Sequence, residues 1–167
     1  MAVLKIVKHP HPVLHERVKA VPRVTGPVRD LIDGMLETMY AASGVGLAAP
    51  QVGVSQRVIV ADVGEGPIIL VNPERVYAEG EQVSFEGCLS VPGLVGEVRR
   101  AERVVVRGLN RKGEAVTVMG RGLLARALQH EIDHLDGILY LERVEDASTI
   151  HKVSELEAEG EEKVTSI

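Results

Sequence analysis

The chain has 167 residues, 45% of them hydrophobic, which suffices for one soluble globular domain with a buried core. Its net charge of −5 and pI near 5.7 exclude a polyanion partner bound by bulk electrostatics, so no specific nucleic acid is expected. No apolar run reaches the roughly 18 residues of a membrane span, and residues 1–15 lack a hydrophobic signal core, so no membrane partner is expected. The single cysteine excludes an internal disulfide.

The first predicted elements are a strand and a helix. The run VLKIV at 3–7 predicts a short strand, ended by the turn-like HPHP. From Pro27 to Ala42 apolar residues recur at helical spacing, and the proline suits a first helical turn. This helix is expected to end just before the stretch GVGLAAPQ at 44–51.

The middle of the chain is rich in β-type runs with no helical pattern between them. This order favours mainly antiparallel sheets and an α+β fold. A Gly-containing loop at 111–113 is typical of a hairpin. The predicted strands are RVIVADV at 57–63, IILVN at 68–72, EQVSFEGCLSV at 81–91, RVVVRGLN at 103–110 and AVTVM at 115–119.

A second helix is predicted over 122–136, with Gly137 as its C-terminal stop. His130 and His134 lie one turn apart on one face of it. Because the helix is apolar around much of its girth, we expect both histidines to point inward.

The end of the chain has a different composition. Residues 154–164, SELEAEGEEKV, are charged and low in complexity, which is typical of a frayed acidic helix or a mobile tail. We therefore place a single catalytic domain at 1–150 and a charged helix or tail at 151–167.

The motif HEIDH at 130–134 is typical of a metal site. Two imidazoles one helical turn apart can reach one ion. Glu131 is turned by about 100° from His130, so it can stand beside the metal and accept a proton from water. Two core histidines that only bind backbone groups are the structural alternative, but burying them with an unpaired carboxylate is costly.

The third ligand decides the kind of site. The pattern HExxHxxGxxH fails, because Tyr140 stands where its last histidine would be. Glu155, Glu157 or Glu159 would complete a zinc endopeptidase, although these residues lie in a solvated charge run. Cys88 offers a thiolate, a strong ligand for zinc or ferrous iron, while a lone cysteine is more often a small buried hydrophobe. A cysteine hydrolase with Cys88 as nucleophile and a metal-binding module without catalysis are further alternatives.

Three stretches together point to one family: GVGLAAPQ at 44–51, EGCLS at 86–90 and QHEIDH at 129–134. In order and spacing they closely resemble the signature motifs of the peptide deformylases, over roughly residues 4 to 145. The resemblance implies an α+β fold in which mainly antiparallel sheets surround a central HExxH helix. It also implies a metal-dependent hydrolase that removes the formyl group from the N-terminal formylmethionine of newly synthesised polypeptides, releasing formate.

The resemblance implies roles for the motif residues. Cys88, His130 and His134 would bind the metal, and Glu131 would be the general acid/base. One divalent ion per chain is expected, Fe²⁺ in the cell, with Zn²⁺, Ni²⁺ or Co²⁺ able to use the same ligands.

The resemblance also implies substrate contacts. Gln51, through its side-chain amide, and Leu89, through its backbone N–H, would hold the formyl oxygen as it gains charge. Gly46 would offer its backbone to the extended peptide. On position and apolarity we expect the methionine side chain to be received by Val45, Leu123 and Ala127.

Some positions bear on the family pattern without belonging to its three motifs. Glu86 and Arg100 match an ion pair that would brace the loop carrying Cys88. At the position of Val95, familiar bacterial members often have an arginine, which holds the substrate backbone. One peptide contact is therefore expected to differ in this chain.

The acidic tail also departs from the family. Many bacterial relatives end in a basic helix thought to dock on the ribosome, so any transient ribosome contact here is expected to differ or be weaker. The bacterial cytoplasm is the expected location. An organelle is the alternative, although no transit peptide is visible.

Overall fold

A computed structural model describes residues 3–158 and 166–167, with only the backbone given for 157 and 158. The helices are α1 (Gly26–Ala41), α2 (Gly122–Leu135) and α3 (Val153–Ala158). Within this part of the chain, no helix is long and apolar enough to cross a membrane. The strands are β1 (Gly46–Ala48), β2 (Val58–Ala61), β3 (Ile68–Glu79), β4 (Gln82–Cys88), β5 (Val91–Arg100), β6 (Arg103–Leu109), β7 (Ala115–Arg121) and β8 (His151–Lys152).

The strands form two sheets in which all neighbours are antiparallel. The larger sheet has the order β1-β2-β3-β6-β7, and the smaller has the order β4-β5-β8. β1 and β4 are therefore edge strands of two different sheets. The predicted α+β class with mainly antiparallel sheets is confirmed.

The larger sheet is covered by a helix on each face. Along β2, Val58 and Val60 pack in one cluster with α1, while Ile59 and Ala61 pack in another cluster with α2. Alternate residues of a strand point to opposite faces, so a strand buried on both faces has a continuous apolar sequence. This explains the run VIVA and places α2 in the centre of the molecule.

The predicted strand at 3–7 is wrong. Its backbone binds neighbouring segments that are not strands: the Leu4 N–H donates to Thr38 Oγ1 at 2.7 Å, and the Val7 N–H donates to the Gln51 carbonyl at 2.8 Å. Leu4 also packs against the α1 cluster. The β-type composition of this run therefore reflects packing against the core.

The predicted strand at 81–91 is two strands. β4 ends at Cys88, a tight turn takes up Leu89 and Ser90, and β5 begins at Val91. β5 was not predicted, because its sequence VPGLVGEVRR contains a proline and two glycines, which are typical of loops. The pairing of β4 with β5 shifts register between Gly87 and Cys88, which sets the cysteine apart from the regular ladder.

The chain after residue 150 packs on the domain as far as the structure describes it. β8 pairs with β5, and Leu156 of α3 is buried. Of the predicted acidic segment, residues 159–164 lie outside the described part of the chain. Ser166 forms an isolated parallel bridge with Gly87, next to the end of β4.

Candidate active site

Three buried side chains converge where α2 passes the end of β4. One ligand atom each of Cys88, His130 and His134 lies within 4.8 Å of the other two. Cys88 Sγ is 3.4 Å from His134 Nε2, and the two imidazole centroids are 5.0 Å apart. The structure thus brings together the three residues for which the sequence predicted metal binding.

Local structure explains the convergence. His130 and His134 are one turn apart on a helix that is buried almost all round, so both rings point into the protein. The turn after β4 directs Cys88 towards them. Tyr140 fills the neighbouring space: its ring stacks on His130 with centroids 5.9 Å apart, and its hydroxyl donates to the Leu94 carbonyl at 2.8 Å.

Glu86 fixes one face of His130. The Nδ1 of His130 lies 2.8 Å from Glu86 Oε1. Burial alone would raise the pKa of Glu86, but hydrogen bonds from Arg100 and His130 outweigh it and hold that pKa far below its usual range. An ionised carboxylate only accepts, so Nδ1 carries the proton and donates, and the lone pair of Nε2 faces Cys88 and His134.

A buried charge cluster supports this carboxylate. Arg100 makes two hydrogen bonds of 2.9 Å to Glu86, and Arg126 makes a third. Arg100 also donates to Asp133 at 2.6 Å, and Asp133 in turn accepts from Arg143 at 3.0 Å. The Glu86–Arg100 pair was expected, whereas Arg126, Asp133 and Arg143 were missed. Arg126 lies one helical turn before His130, so helical spacing would have placed it on the same side.

The unsatisfied polar atoms fit a divalent cation. Within the described residues, His130 Nε2 and both carboxylate oxygens of Glu131 are buried without a hydrogen-bond partner, and His134 Nε2 lies 3.4 Å from Cys88 Sγ. Buried polar atoms rarely stay unpaired, and a thiol with two imidazoles is a typical donor set for a transition metal. The residues present therefore suit one metal ion with Cys88, His130 and His134 as protein ligands.

The protonation of the ligands also fits. Burial lowers the pKa of His134, so the ring is neutral and can act as a ligand. Burial raises the pKa of the Cys88 thiol, and the neighbouring Glu131 carboxylate raises it further. A thiolate at this position therefore requires a cation beside it.

Glu131 lies on the same side of α2 as the ligands, fully buried. Burial raises its pKa, and the charge on Glu86 raises it further. A Cβ atom at Gly46 would overlap the Glu131 carboxylate, so a larger residue at that point of β1 would force the Glu131 side chain to move. Glu131 thus lies between the three converging side chains and the first residue of an edge strand.

Gln51 is held by the 3₁₀ turn Ala49–Val52. Its Oε1 accepts the Ala48 N–H at 2.9 Å, so its amide N–H groups point the other way, to Ser90 Oγ at 3.1 Å and Cys88 Sγ at 3.6 Å. Leu89 follows Cys88 in the turn, and its side chain lies close to Gly44. Both predicted oxyanion donors therefore belong to segments that touch Cys88. Ser90 was not predicted as a partner of Gln51.

The residues predicted to contact the peptide differ in position and burial. Val45 precedes β1, Gly46 is the first residue of β1, and Ala127 is completely buried on α2. Leu123, in contrast, is 41% exposed at the start of that helix. Val95 is buried against Gly87, so an apolar side chain stands where familiar bacterial members often have arginine.

A polar cavity of about 580 Å³ lies on another face of α2. Gln129, Ile132 and Asp133 line it at spacings of three and four, together with Arg57 and Arg100. None of the three converging ligand residues is among its lining. The cavity is therefore separate from the candidate metal centre, although Arg100 and Asp133 belong to both its wall and the charge cluster.

Comparison with known proteins identifies close relatives of this chain. The family model described as polypeptide deformylase matches residues 3–149. A peptide deformylase of Carboxydothermus hydrogenoformans is 55% identical over 146 residues, covering 87% of this chain and 96% of the relative. One from Acetivibrio thermocellus is 57% identical over 144 residues, covering 86% of this chain and 85% of the relative.

Solved structures give the same result. The peptide deformylase from Thermotoga maritima superposes with a TM-score of 0.84 at 43% identity, covering 86% of this chain and 99% of that one. The enzyme from Ehrlichia chaffeensis in complex with actinonin superposes with a TM-score of 0.86 at 39% identity, covering 89% and 92%.

Proposed function

The chain belongs to the polypeptide deformylase family, and on that premise we propose that Cys88, His130 and His134 hold one divalent cation beside Glu131, the general acid/base. The enzyme is a metal-dependent hydrolase that removes the N-formyl group from the N-terminal formylmethionine of newly synthesised polypeptides, releasing formate. The residue assignment rests on one observation: three buried ligand atoms converge beside a buried carboxylate that has no partner among the described residues.

The cation and Glu131 divide the chemistry. When bound, a divalent ion supplies Lewis-acid chemistry, lowering the pKa of water and polarising the formyl carbonyl. Glu131 takes the proton from the attacking water and passes it to the amine that leaves as the new N-terminus. Gly46 leaves the space that this carboxylate occupies beside β1, because a Cβ atom there would overlap it.

Gln51 and Leu89 stabilise the formyl oxygen as it becomes negative. The Gln51 amide is oriented before substrate arrives, since its Oε1 is already bound to the Ala48 N–H at 2.9 Å. Donors fixed in this way need no reorganisation when charge develops, and they act in a site from which water is excluded. Leu89 would add its backbone N–H from the turn that follows Cys88.

The peptide substrate pairs with the edge of the larger sheet at Val45 and Gly46. An exposed sheet edge offers unpaired main-chain groups to an extended chain. Ala127 and Leu123 would provide apolar surface for the methionine side chain. With Val95 in place of an arginine, recognition of the peptide backbone relies on main-chain partners.

Three further features extend the proposal beyond the site residues. The ion is Fe²⁺ in the cell, with Zn²⁺, Ni²⁺ or Co²⁺ able to replace it, because one thiolate and two imidazoles suit all of these metals. The location is the bacterial cytoplasm, where newly synthesised formylated chains arise. Any ribosome contact is transient and differs from, or is weaker than, one made by a basic helix, since residues 151–167 are acidic.

Formate release tests the proposal directly. Purified enzyme kept anaerobic should release formate from formyl-Met-Ala-Ser, lose this activity with a chelator, and regain it when Fe²⁺ or Ni²⁺ is restored. Acetyl-Met-Ala-Ser, which differs by one methyl group at the scissile acyl group, is the matched control and should release little acetate. Formate release that survives complete metal removal would contradict the proposal.

A further inference from the structure

Two residues near the end of the chain lie between the two sheets. The Val45 N–H donates to the Ser166 carbonyl at 3.1 Å, and the Ile167 N–H donates to the Gly87 carbonyl at 3.0 Å. Ser166 and Gly87 are paired as in a parallel ladder, and Ile167 is only 1% exposed. This pair, residues 166–167, therefore joins the segment before β1 to the end of β4.

The joined segments border the candidate active site. Val45 is followed by Gly46, which lies against Glu131, and Gly87 is followed by the ligand Cys88. A Cβ atom at Gly44 would lie 2.8 Å from the Leu89 side chain, so the two segments approach each other closely here. Residues 166–167 thus sit in a groove whose walls lead directly to the catalytic carboxylate and the metal ligands.

The groove is suited to an extended peptide. β1 and β4 are both edge strands, and the main-chain groups on their free edges need partners. Ser166 and Ile167 satisfy one group on each side, the Val45 N–H just before β1 and the Gly87 carbonyl of β4. They do so by strand addition, the mode in which an extended peptide pairs with a sheet edge. A substrate peptide that binds along the same edges needs the Val45 N–H and the Gly87 carbonyl as well, so the two cannot bind together.

We propose that residues 166–167 are a tethered occupant of the substrate groove that competes with formylated peptides for its main-chain hydrogen bonds. The proposal rests on the proposed function, because it takes this groove to be the one that receives substrate. Since the segment is part of the same chain, its effective concentration is high, and even a weak contact keeps the groove partly filled. Substrate affinity is then reduced by the fraction of molecules whose groove is open.

Steady-state kinetics of the metal-loaded full chain test this competition. Deleting residues 166–167 should lower KM for formyl-Met-Ala-Ser by about 3- to 30-fold and leave kcat unchanged, as expected when a competing contact of two hydrogen bonds and one buried side chain is removed. Ile167→Pro, which removes the N–H donor and keeps an apolar side chain, should shift KM in the same direction. Ile167→Val keeps both features and is the matched control. An unchanged KM in the deletion variant, or a fall in kcat with it, overturns the proposal.

Amide hydrogen exchange gives a second readout that does not need activity. In the metal-loaded protein without substrate, the Val45 amide should be protected, and deleting residues 166–167 should accelerate its exchange. If no variant releases formate, the proposed function fails, yet exchange at Val45 still shows whether the segment fills the groove. Equal protection of Val45 with and without residues 166–167 overturns the proposal even if KM changes.

Discussion

Glu86→Gln tests whether Glu86 stabilises the metal centre without binding the metal itself. The side chain keeps its shape but loses its charge, in a place where it is 0% exposed and is bound by Arg100, Arg126 and His130. Arg100 would retain Asp133 at 2.6 Å. Arg126 would keep only carbonyl and amide oxygens, so its buried charge would lose its one carboxylate partner among the described residues.

The expected cost follows from this imbalance. Removing one partner of a buried ion pair costs about 3–5 kcal/mol, because the other charge stays buried. In a domain of this size each kcal/mol lowers Tm by about 2–4 °C, so we expect a decrease of about 6–20 °C. Loss of the carboxylate behind His130 should also weaken metal binding by about 10- to 100-fold.

Urea unfolding and competition with a metal chelator measure the two effects. Glu81→Gln is the matched control: it removes a carboxylate that pairs with Arg99 at 2.9 Å, but with side chains 69% and 46% exposed. Exposed pairs contribute about 0–1 kcal/mol, so this variant should resemble the parent. Adding Arg126→Met to Glu86→Gln should recover part of the lost stability, because the unpaired cation is removed. Equal stability of Glu86→Gln and Glu81→Gln would refute this account of the cluster.

Three further predictions concern the ligands, the oxyanion donor and the tyrosines. Cys88→Ala should abolish binding of the metal and formate release, whereas Glu155→Ala should spare both; metal analysis showing the reverse would favour the endopeptidase alternative. Gln51→Ala should lower kcat by about 10²- to 10³-fold with metal content unchanged, and a loss of metal instead would mean that Gln51 mainly supports Cys88. The Tyr40 hydroxyl donates to Asp62 at 2.6 Å, and this hydrogen bond raises the pKa of Tyr40 to about 12. The contribution of this hydrogen bond to stability should therefore be complete below about pH 10 and disappear as pH rises through about 12. Ultraviolet titration should show this late ionisation of Tyr40, and Asp62→Asn should bring the pKa of Tyr40 back towards 10.

The centre of the site could be predicted because its pattern is local. Helical spacing alone put His130 and His134 on one inward face of α2, and the motif around Cys88 supplied the third candidate ligand. The Glu86–Arg100 pair could be predicted only from the resemblance. In the β4–β5 ladder Glu86 pairs with Gly96 and Arg100 pairs with Gln82, so strand register alone does not bring the two side chains together.

What the sequence did not reveal depends on long-range contacts. Arg126 and Asp133 reach Glu86 and Arg100 from α2, across 40 and 33 positions of chain. β5 was missed because its proline and glycines are tolerated in a short sheet next to the site, where tertiary pairing overrides local preference. Nothing in the local sequence of residues 166–167 indicates a groove formed by residues 45 and 87.

The most direct test of the account is a comparison of metal content and formate release in Glu131→Gln. Glutamine keeps the size of the side chain next to Gly46 but can no longer accept a proton. The account predicts one divalent metal per chain, as in the parent, with kcat/KM for formyl-Met-Ala-Ser lowered by about 10²- to 10⁴-fold. Formate release within a few-fold of the parent would show that Glu131 is not the general acid/base. Loss of the metal from this variant would contradict the assignment of Cys88, His130 and His134 as the complete set of protein ligands.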